Sequence, residues 1–242
     1  MTPLNSASFL LQLQKLLPGV SRETLSAGVA RLEIYAALLV KWQKAINLVG
    51  PNTLPDLWRR HMLDSAQLLP LLPPVAEGTD GTITDFGSGA GFPGLVLAAF
   101  TERPVQLIDS DVRKCAFLRE TAQAMGVGAR VGVHAKRFDA VTPWISPVIT
   151  ARACAPLDEL LGWTAPFAND DTVFLLLKGA KADEELTAAA KHWTMEIDRQ
   201  ASIADPETDK GNGDKGITGK SNPPAATGTI LKLSHLKRQT NA

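Results

Sequence analysis

The chain has 242 residues, 45% hydrophobic and 21% charged, enough apolar side chain for one ordinary domain with an appendage and far from the composition of a disordered chain. Lys plus Arg and Asp plus Glu each total 25, so the formal net charge is zero, which excludes a polyanion binder coated in positive charge but leaves room for a local basic patch. Cys115 and Cys154 lie far apart with no Cys-x-x-Cys partner, which excludes a zinc ribbon or a disulfide scaffold and points to a reducing compartment.

Residues 1–72 read as helix only and form a helical cap. The N-terminus lacks a basic stretch followed by an apolar run, and no apolar stretch approaches the roughly 20 residues of a membrane span. A cytoplasmic protein without membrane contact is therefore expected. Leu25, Val29, Leu32, Ala36 and Leu39 recur at spacings of four and three, one face of a helix, with Ser21 as its N-cap and Thr24 where a capping box would carry Glu. A second helix over 57–69 ends at Pro70, and Pro73, Pro74 and the 78–81 glycines link it to a second unit spanning 73–242.

Beyond residue 80 the pattern alternates: strand 83–86, helix 91–100, strand 105–109, helix 111–125, strands 130–134 and 148–151, helix 157–167, strand 172–177, helix 183–193. This order predicts an α/β fold, a mostly parallel sheet of about seven strands with helices on both faces. Residues 205–228 are rich in glycine, proline and lysine and read as a flexible insertion. A last strand is expected over 229–233, with His235, Lys237 and Arg238 as a frayed basic tail.

The chemistry is concentrated in Ile-Thr-Asp-Phe-Gly-Ser-Gly-Ala-Gly-Phe-Pro-Gly, from Ile83 to Gly94, a strand turning through glycines into a helix. Gly89 to Gly94 matches the G-x-G-x-x-G dinucleotide fingerprint. Asp85 to Gly91 matches the acidic-x-G-x-G-x-G signature of S-adenosylmethionine (SAM) enzymes, in which Gly87 and Gly89 make room for the ligand. Asp85 at the strand end would repel a pyrophosphate and attract the methionine ammonium of SAM, which favours the second register. Asp109, at the end of the next strand, is placed to accept hydrogen bonds from both ribose hydroxyls, as either ligand would require. Arg152 and Lys178 are expected at the C-terminal ends of adjacent strands, where open α/β sheets bind ligands, and together suit a guanine O6 and a phosphate. Arg59, Arg60 and His61 form a local basic cluster, with Asp64 as a capping or pairing residue; Trp42 and Trp58 read as core. Cys154 raises cytosine C5 chemistry, but its small apolar neighbours favour a core thiol packed under the following helix.

Asp-Phe-Gly-Ser-Gly-Ala-Gly-Phe-Pro-Gly from Asp85, Leu-Ile-Asp-Ser-Asp-Val-Arg-Lys-Cys-Ala-Phe-Leu from Leu107 and Thr-Ala-Arg-Ala-Cys-Ala-Pro-Leu from Thr150 closely resemble the RsmG (GidB) family, as do Trp42–Val49 and Arg60–Ser65. That resemblance, from about residue 30 to residue 180, implies a class I SAM-methyltransferase (Rossmann-like) fold and methyl transfer to a guanine N7 of 16S ribosomal RNA, with S-adenosylhomocysteine released. It further implies that Gly87 and Phe92 line the SAM site, that Phe138 and Asp139 (or, shifted by one, Arg137 and Phe138) flank the adenine, and that Arg152 lies beside the cofactor. The partner would be 16S rRNA within the 30S subunit or an assembly intermediate, met by a monomer, with Arg60 and His61 among the substrate-positioning residues. The family's usual C-terminal strand hairpin is not expected here, because the 205–228 segment interrupts it. Guanine N7 carries a free in-plane lone pair, so its methylation needs positioning and no general base; accordingly no catalytic acid, base or nucleophile is assigned. An NAD-dependent oxidoreductase, a non-catalytic RNA-binding or assembly protein, and a small-molecule methyltransferase are the other readings the residues allow.

Overall fold

Helix α1 (Ser6–Leu16) is capped by the Asn5 side chain, and α2 (Arg22–Trp42) by Ser21, whose Oγ accepts the Thr24 amide at 3.1 Å. The computed structural model describes residues 3–204 and 228–239. On α2, Leu25, Val29, Leu32 and Leu39 are buried as their spacing predicts, joined by Tyr35, which the pattern did not single out, while Ala36 sits at the margin. The expected helix over 57–69 is instead a composite: a 3-10 segment (Pro51–Asp56), a π-helical turn (Trp58–Leu63), then a short α3 (Asp64–Ala66). Pro55 blocks a regular helix, and the wide π turn, a form that recurs at functional sites, carries Arg59, Arg60 and His61.

The sheet follows with β1 (Ile83–Phe86), α4 (Gly94–Phe100), β2 (Val105–Asp109), α5 (Val112–Ala124), β3 (Val131–Ala135), β4 (Val148–Arg152), α6 (Leu157–Thr164), β5 (Val173–Lys178), α7 (Ala182–Ala189), β6 (Trp193–Ala201) and β7 (Thr229–Arg238). Its order is β3-β2-β1-β4-β5-β7-β6, with β1 to β5 parallel and β7 antiparallel to both neighbours. Alternate strand residues feed two cores, Ile83, Val105, Leu107, Val148 and Leu175 toward α1, α2, α4 and α5, and Phe86, Ile108, Ile149, Phe174 and Leu176 toward α6 and α7. The N-terminal helices therefore share one continuous core with the sheet, Phe9 and Leu13 being fully buried in it.

Two expectations need correction at the C-terminal end. The helix expected over 183–193 stops at Ala189, and Trp193–Ala201 forms β6, a mostly exposed edge strand. Lys237 and Arg238 pair with Thr194 and Trp193 in the β6–β7 ladder, and His235 sits at the ladder's irregularity within β7 with a φ of 53°, so these residues are not a frayed tail and the C-terminal strand hairpin is present. The flexible-insertion expectation for 205–228 lies, except for Gly228, outside the described residues. Among the described residues no helix is long and apolar enough to cross a membrane.

Candidate SAM and base cavities

The strand order reverses between β1 and β4, and a crevice opens at their C-terminal ends, where parallel sheets bind ligands. The chain leaving β1 is pinned by the Gly87 and Ser88 amides, which donate to the Ile108 carbonyl at 2.9 and 3.1 Å. Gly87 and Gly89 both have positive φ, 66° and 56°, but for different purposes. A Cβ on Gly87 would lie 2.4 Å from Cys154 Sγ, whereas one on Gly89 would meet nothing nearer than the Gly87 carbonyl at 3.8 Å. Protein closes the first position; the second faces open space in a cavity of about 470 Å³.

Asp109 ends β2 at the edge of that cavity. Its Oδ2 accepts the Gly89 amide and its Oδ1 the Asp111 amide, both at 2.8 Å. Each carboxylate oxygen keeps a further lone-pair position, which suits two hydroxyl donors. Across the cavity, Phe138 packs on Trp163 at 5.1 Å between ring centroids and on Phe86 at 5.5 Å, an apolar wall for a flat heterocycle. Phe92 also lines the cavity. The diol-reading carboxylate, the bare Gly89 backbone and the aromatic wall together fit the adenosine end of SAM.

Two sequence expectations do not fit this geometry. Asp85 is fully buried beneath the glycine loop; Oδ1 accepts the Thr150 hydroxyl at 2.8 Å and Oδ2 the Gly94 amide at 3.2 Å, at the start of α4. Burial pushes its carboxyl up to about 6, against the hydrogen bonds from Thr150, Ser88 and Gly94 that favour the charge. It braces the loop from below and does not line the cavity. Asp139 is exposed and pairs with Arg137 at 3.5 Å, so of the 136–139 segment only Phe138 reaches the site.

Arg152, the last residue of β4, borders both this cavity and a second one of about 410 Å³. Its Nη1 donates to Asp64 Oδ2 at 3.3 Å and to the Arg60 carbonyl at 3.2 Å, its Nη2 to His61 Nδ1 at 2.8 Å, and its guanidinium carbon sits 4.7 Å over the Phe92 ring. Thr53 gives its hydroxyl proton to the Gly50 carbonyl at 2.7 Å, so His61 Nε2–H donates to Thr53 Oγ1 at 2.7 Å and Nδ1 is the acceptor; this tautomer is assigned from the network. Burial, with the Arg152 and Arg60 charges nearby, pushes His61 down to about 3, so the ring is neutral and its lone pair is spent on Arg152. Asp64 Oδ1 accepts the Ser202 hydroxyl at 3.1 Å and the Gln67 amide at 2.9 Å; burial raises its carboxyl while Arg152 opposes the shift.

The basic cluster on the π turn divides. Arg59 turns inward, 7% exposed and paired with Asp56 at 3.7 Å; Arg60 is exposed at the second cavity; His61 is buried. Lys178 lies at the end of β5 beside Arg152, as expected, but its Nζ donates to the Ala155 carbonyl at 2.7 Å and to Glu185 Oε2 at 2.8 Å. It serves as an internal counter-ion and is not free to take a phosphate. Cys154 is half-buried: it packs against the core that α6 helps to build, as expected, and also against Gly87, where it lines the first cavity. Burial, together with the Asp85 and Asp109 charges, pushes its thiol up to about 11, which disqualifies it as a nucleophile at neutral pH. Trp163, Thr53, Glu185 and Ser202 were not singled out from sequence: Trp163 is a lone aromatic on α6, and Glu185 is masked by Asp183 and Glu184 in the same acidic helix turn.

Residues 29–210 match the family model described as rRNA small subunit methyltransferase G. A curated relative from Paramagnetospirillum magneticum, "Ribosomal RNA small subunit methyltransferase G", is 54% identical over 188 residues, covering 78% of this chain and 87% of its own. One of the same name from Gluconobacter oxydans is 47% identical over 219 residues, covering 90% and 97%. Among solved structures, a TehB-like SAM-dependent methyltransferase from Corynebacterium glutamicum superposes with a TM-score of 0.51 at 14% identity, covering 85% of this chain and 98% of its own. That likeness establishes the fold, a class I SAM-methyltransferase sheet.

Proposed function

The chain belongs to the rRNA small subunit methyltransferase G family, and from that membership and the paired cavities we propose that it transfers a methyl group from SAM to N7 of a guanine in 16S rRNA. The observation that carries this reading is the placement of Arg152 as a common wall between the cavity lined by Gly89, Asp109 and Phe138 and a second one lined by Arg60, Ala155 and Leu177. Asp109 would hold the ribose, Gly89 the backbone approach, and Phe138 with Trp163 the adenine.

Bound there, SAM supplies an electrophilic methyl that the N7 lone pair displaces, the carbon–sulfur electron pair leaving with S-adenosylhomocysteine. N7 has no proton to lose, so the residues need only orient the base and exclude competing reactions. Their state supports this: the His61 lone pair is occupied, Asp64 is bound by Arg152, Ser202 and Gln67, and Cys154 stays protonated. Among the described residues, His61, Asp64 and Cys154 are thus not available to abstract a proton, as methylation of an exocyclic amine would require.

The zero net charge is in keeping with few neutralised phosphates, and the substrate in this reading is a folded particle, the 30S subunit or an assembly intermediate, with the protein acting as a monomer. Exposed Arg60 at the mouth of the second cavity is the cation placed for a nearby phosphate.

The test is methyl-labelled SAM with small subunits lacking the modification, followed by strand cleavage at 7-methylguanine. One cleavage site in 16S rRNA is expected. Label in another base, or none despite SAM binding, would overturn the assignment of atom and substrate.

A further inference from the structure

N7 exists on both purines, so a guanine-specific transfer must read a further group of the base, O6 beside N7 or the Watson–Crick edge. Guanine presents N1–H and N2–H donors on its Watson–Crick edge, where adenine presents an N1 acceptor. An acceptor placed across the base pocket from the methyl donor would select guanine through that second edge.

The second cavity supplies one. Arg152 and Ala153 form its side toward the SAM cavity, Ala155 and Leu177 give it apolar surface suited to a flat ring, and Glu185 lines it from α7. Glu185 Oε2 is committed, accepting Lys178 Nζ at 2.8 Å and the Leu157 amide at 2.9 Å. These two bonds fix the carboxylate, yet Oε1 has no protein partner among the described residues. At 24% side-chain exposure the group is restrained but open to a ligand. Asp64, the other carboxylate of this cavity, is bound through both oxygens.

Resting on the function proposed above, we propose that this cavity receives the target guanine turned out of its RNA, and that Glu185 Oε1 accepts from its N1–H and N2 amino groups. N7 and O6, on the opposite edge, then point toward Arg152 and the SAM cavity. Lys178 acts through Glu185 by orienting the carboxylate. Turning a base out and reading its Watson–Crick edge is the general solution for enzymes that modify bases.

The experiment is a protein–base cycle. Small subunits are assembled from RNA carrying guanine or inosine (guanine without its 2-amino group) at the position mapped with wild-type enzyme, and methylated by wild type and by Glu185→Gln. Wild type is expected to prefer guanine over inosine by roughly tenfold or more, the worth of one hydrogen bond to a charged acceptor. Glu185→Gln should lose that preference and at least as much of its rate on guanine, with unchanged SAM affinity. Equal fractional loss on both bases would mean that Glu185 only supports the fold, and overturns the inference. If Glu185→Gln does not fold, Glu185→Asp, which keeps the charge but shortens the reach, carries the same cycle. Failure of wild type to methylate any guanine would instead overturn the function itself, a distinguishable result.

Discussion

Gly87 and Gly89 share a left-handed backbone yet should fail differently when a methyl is added, and the contrast tests how the loop is built. In Gly87→Ala the new Cβ meets Cys154 Sγ at 2.4 Å and Cys154 Cβ at 2.9 Å. The positive φ costs an L side chain about 1–2 kcal/mol, and forcing an atom into a filled site typically about 1–3 more, so a loss of roughly 2–5 kcal/mol is expected. Gly89→Ala carries the backbone cost alone, about 1–2 kcal/mol, because its Cβ points into open space.

Urea denaturation gives the stabilities, and titration calorimetry with SAM gives the affinities. Gly89→Ala should lose only the backbone cost of about 1–2 kcal/mol but bind SAM at least tenfold more weakly, since its methyl occupies the cavity edge beside Asp109. Cys154→Gly in the Gly87→Ala background removes both clashing atoms and should recover about 1–3 kcal/mol beyond its effect in wild type. Wild-type SAM affinity in Gly89→Ala, or no coupling between positions 87 and 154, would refute the assignment of one glycine to packing and the other to ligand approach.

Two further outcomes follow from the charges. His61, held near 3 in the fold against 6.5 unfolded, binds a proton only when unfolded between those values, so its contribution to stability falls as pH drops below about 6.5. Asp85, raised from 3.8 to about 6, has the opposite sign and loses stability as pH rises through that window. The two oppose each other between about pH 4 and 6, so Asp85→Asn should show a urea midpoint that falls more steeply on acidification than wild type, by about 1.4 kcal/mol per pH unit; a parallel profile contradicts the assignment. Arg152→Ala strands the buried Asp64 carboxylate and should cost roughly 3 kcal/mol, part of which Asp64→Asn in the same chain restores, as read by thermal and urea melts.

The strands β1, β2, β4 and β5 were legible to within a residue or so because each is a short apolar run bounded by turn residues, and the glycine loop because its spacing has few other uses. Burial of individual carboxylates was not legible. Asp85 and Asp109 occupy equivalent strand ends in the sequence, but Asp85 faces the α4 amide from beneath the loop while Asp109 meets the Gly89 amide at the cavity edge. Nor could spacing show that Lys178 would be consumed by Glu185, a partner on the next helix whose rotamer decides the pairing. β6 escaped although Trp193, Met195 and Ile197 alternate with polar residues as a strand requires, because the expected helix over 183–193 absorbs Trp193 and the rest of this edge strand, Asp198 to Ala201, adds no large apolar residue.

Methyl transfer to N7 begins with a sulfonium cation and ends with a cationic purine, so positive charge is present in the site throughout. An unpaired arginine between the two cavities would oppose both states. Here Arg152 is paired with Asp64, His61 is kept neutral by burial, and the Lys178 charge is answered by Glu185. Asp109 then adds a carboxylate at the edge of the SAM cavity. The arginine can thus orient groups through its fixed planar fork while its charge is offset. The same balance accounts for a neutral chain acting on an anionic polymer: charges are paired where the chemistry occurs, and exposed Arg60 is left at the mouth of the cavity, where a phosphate would lie.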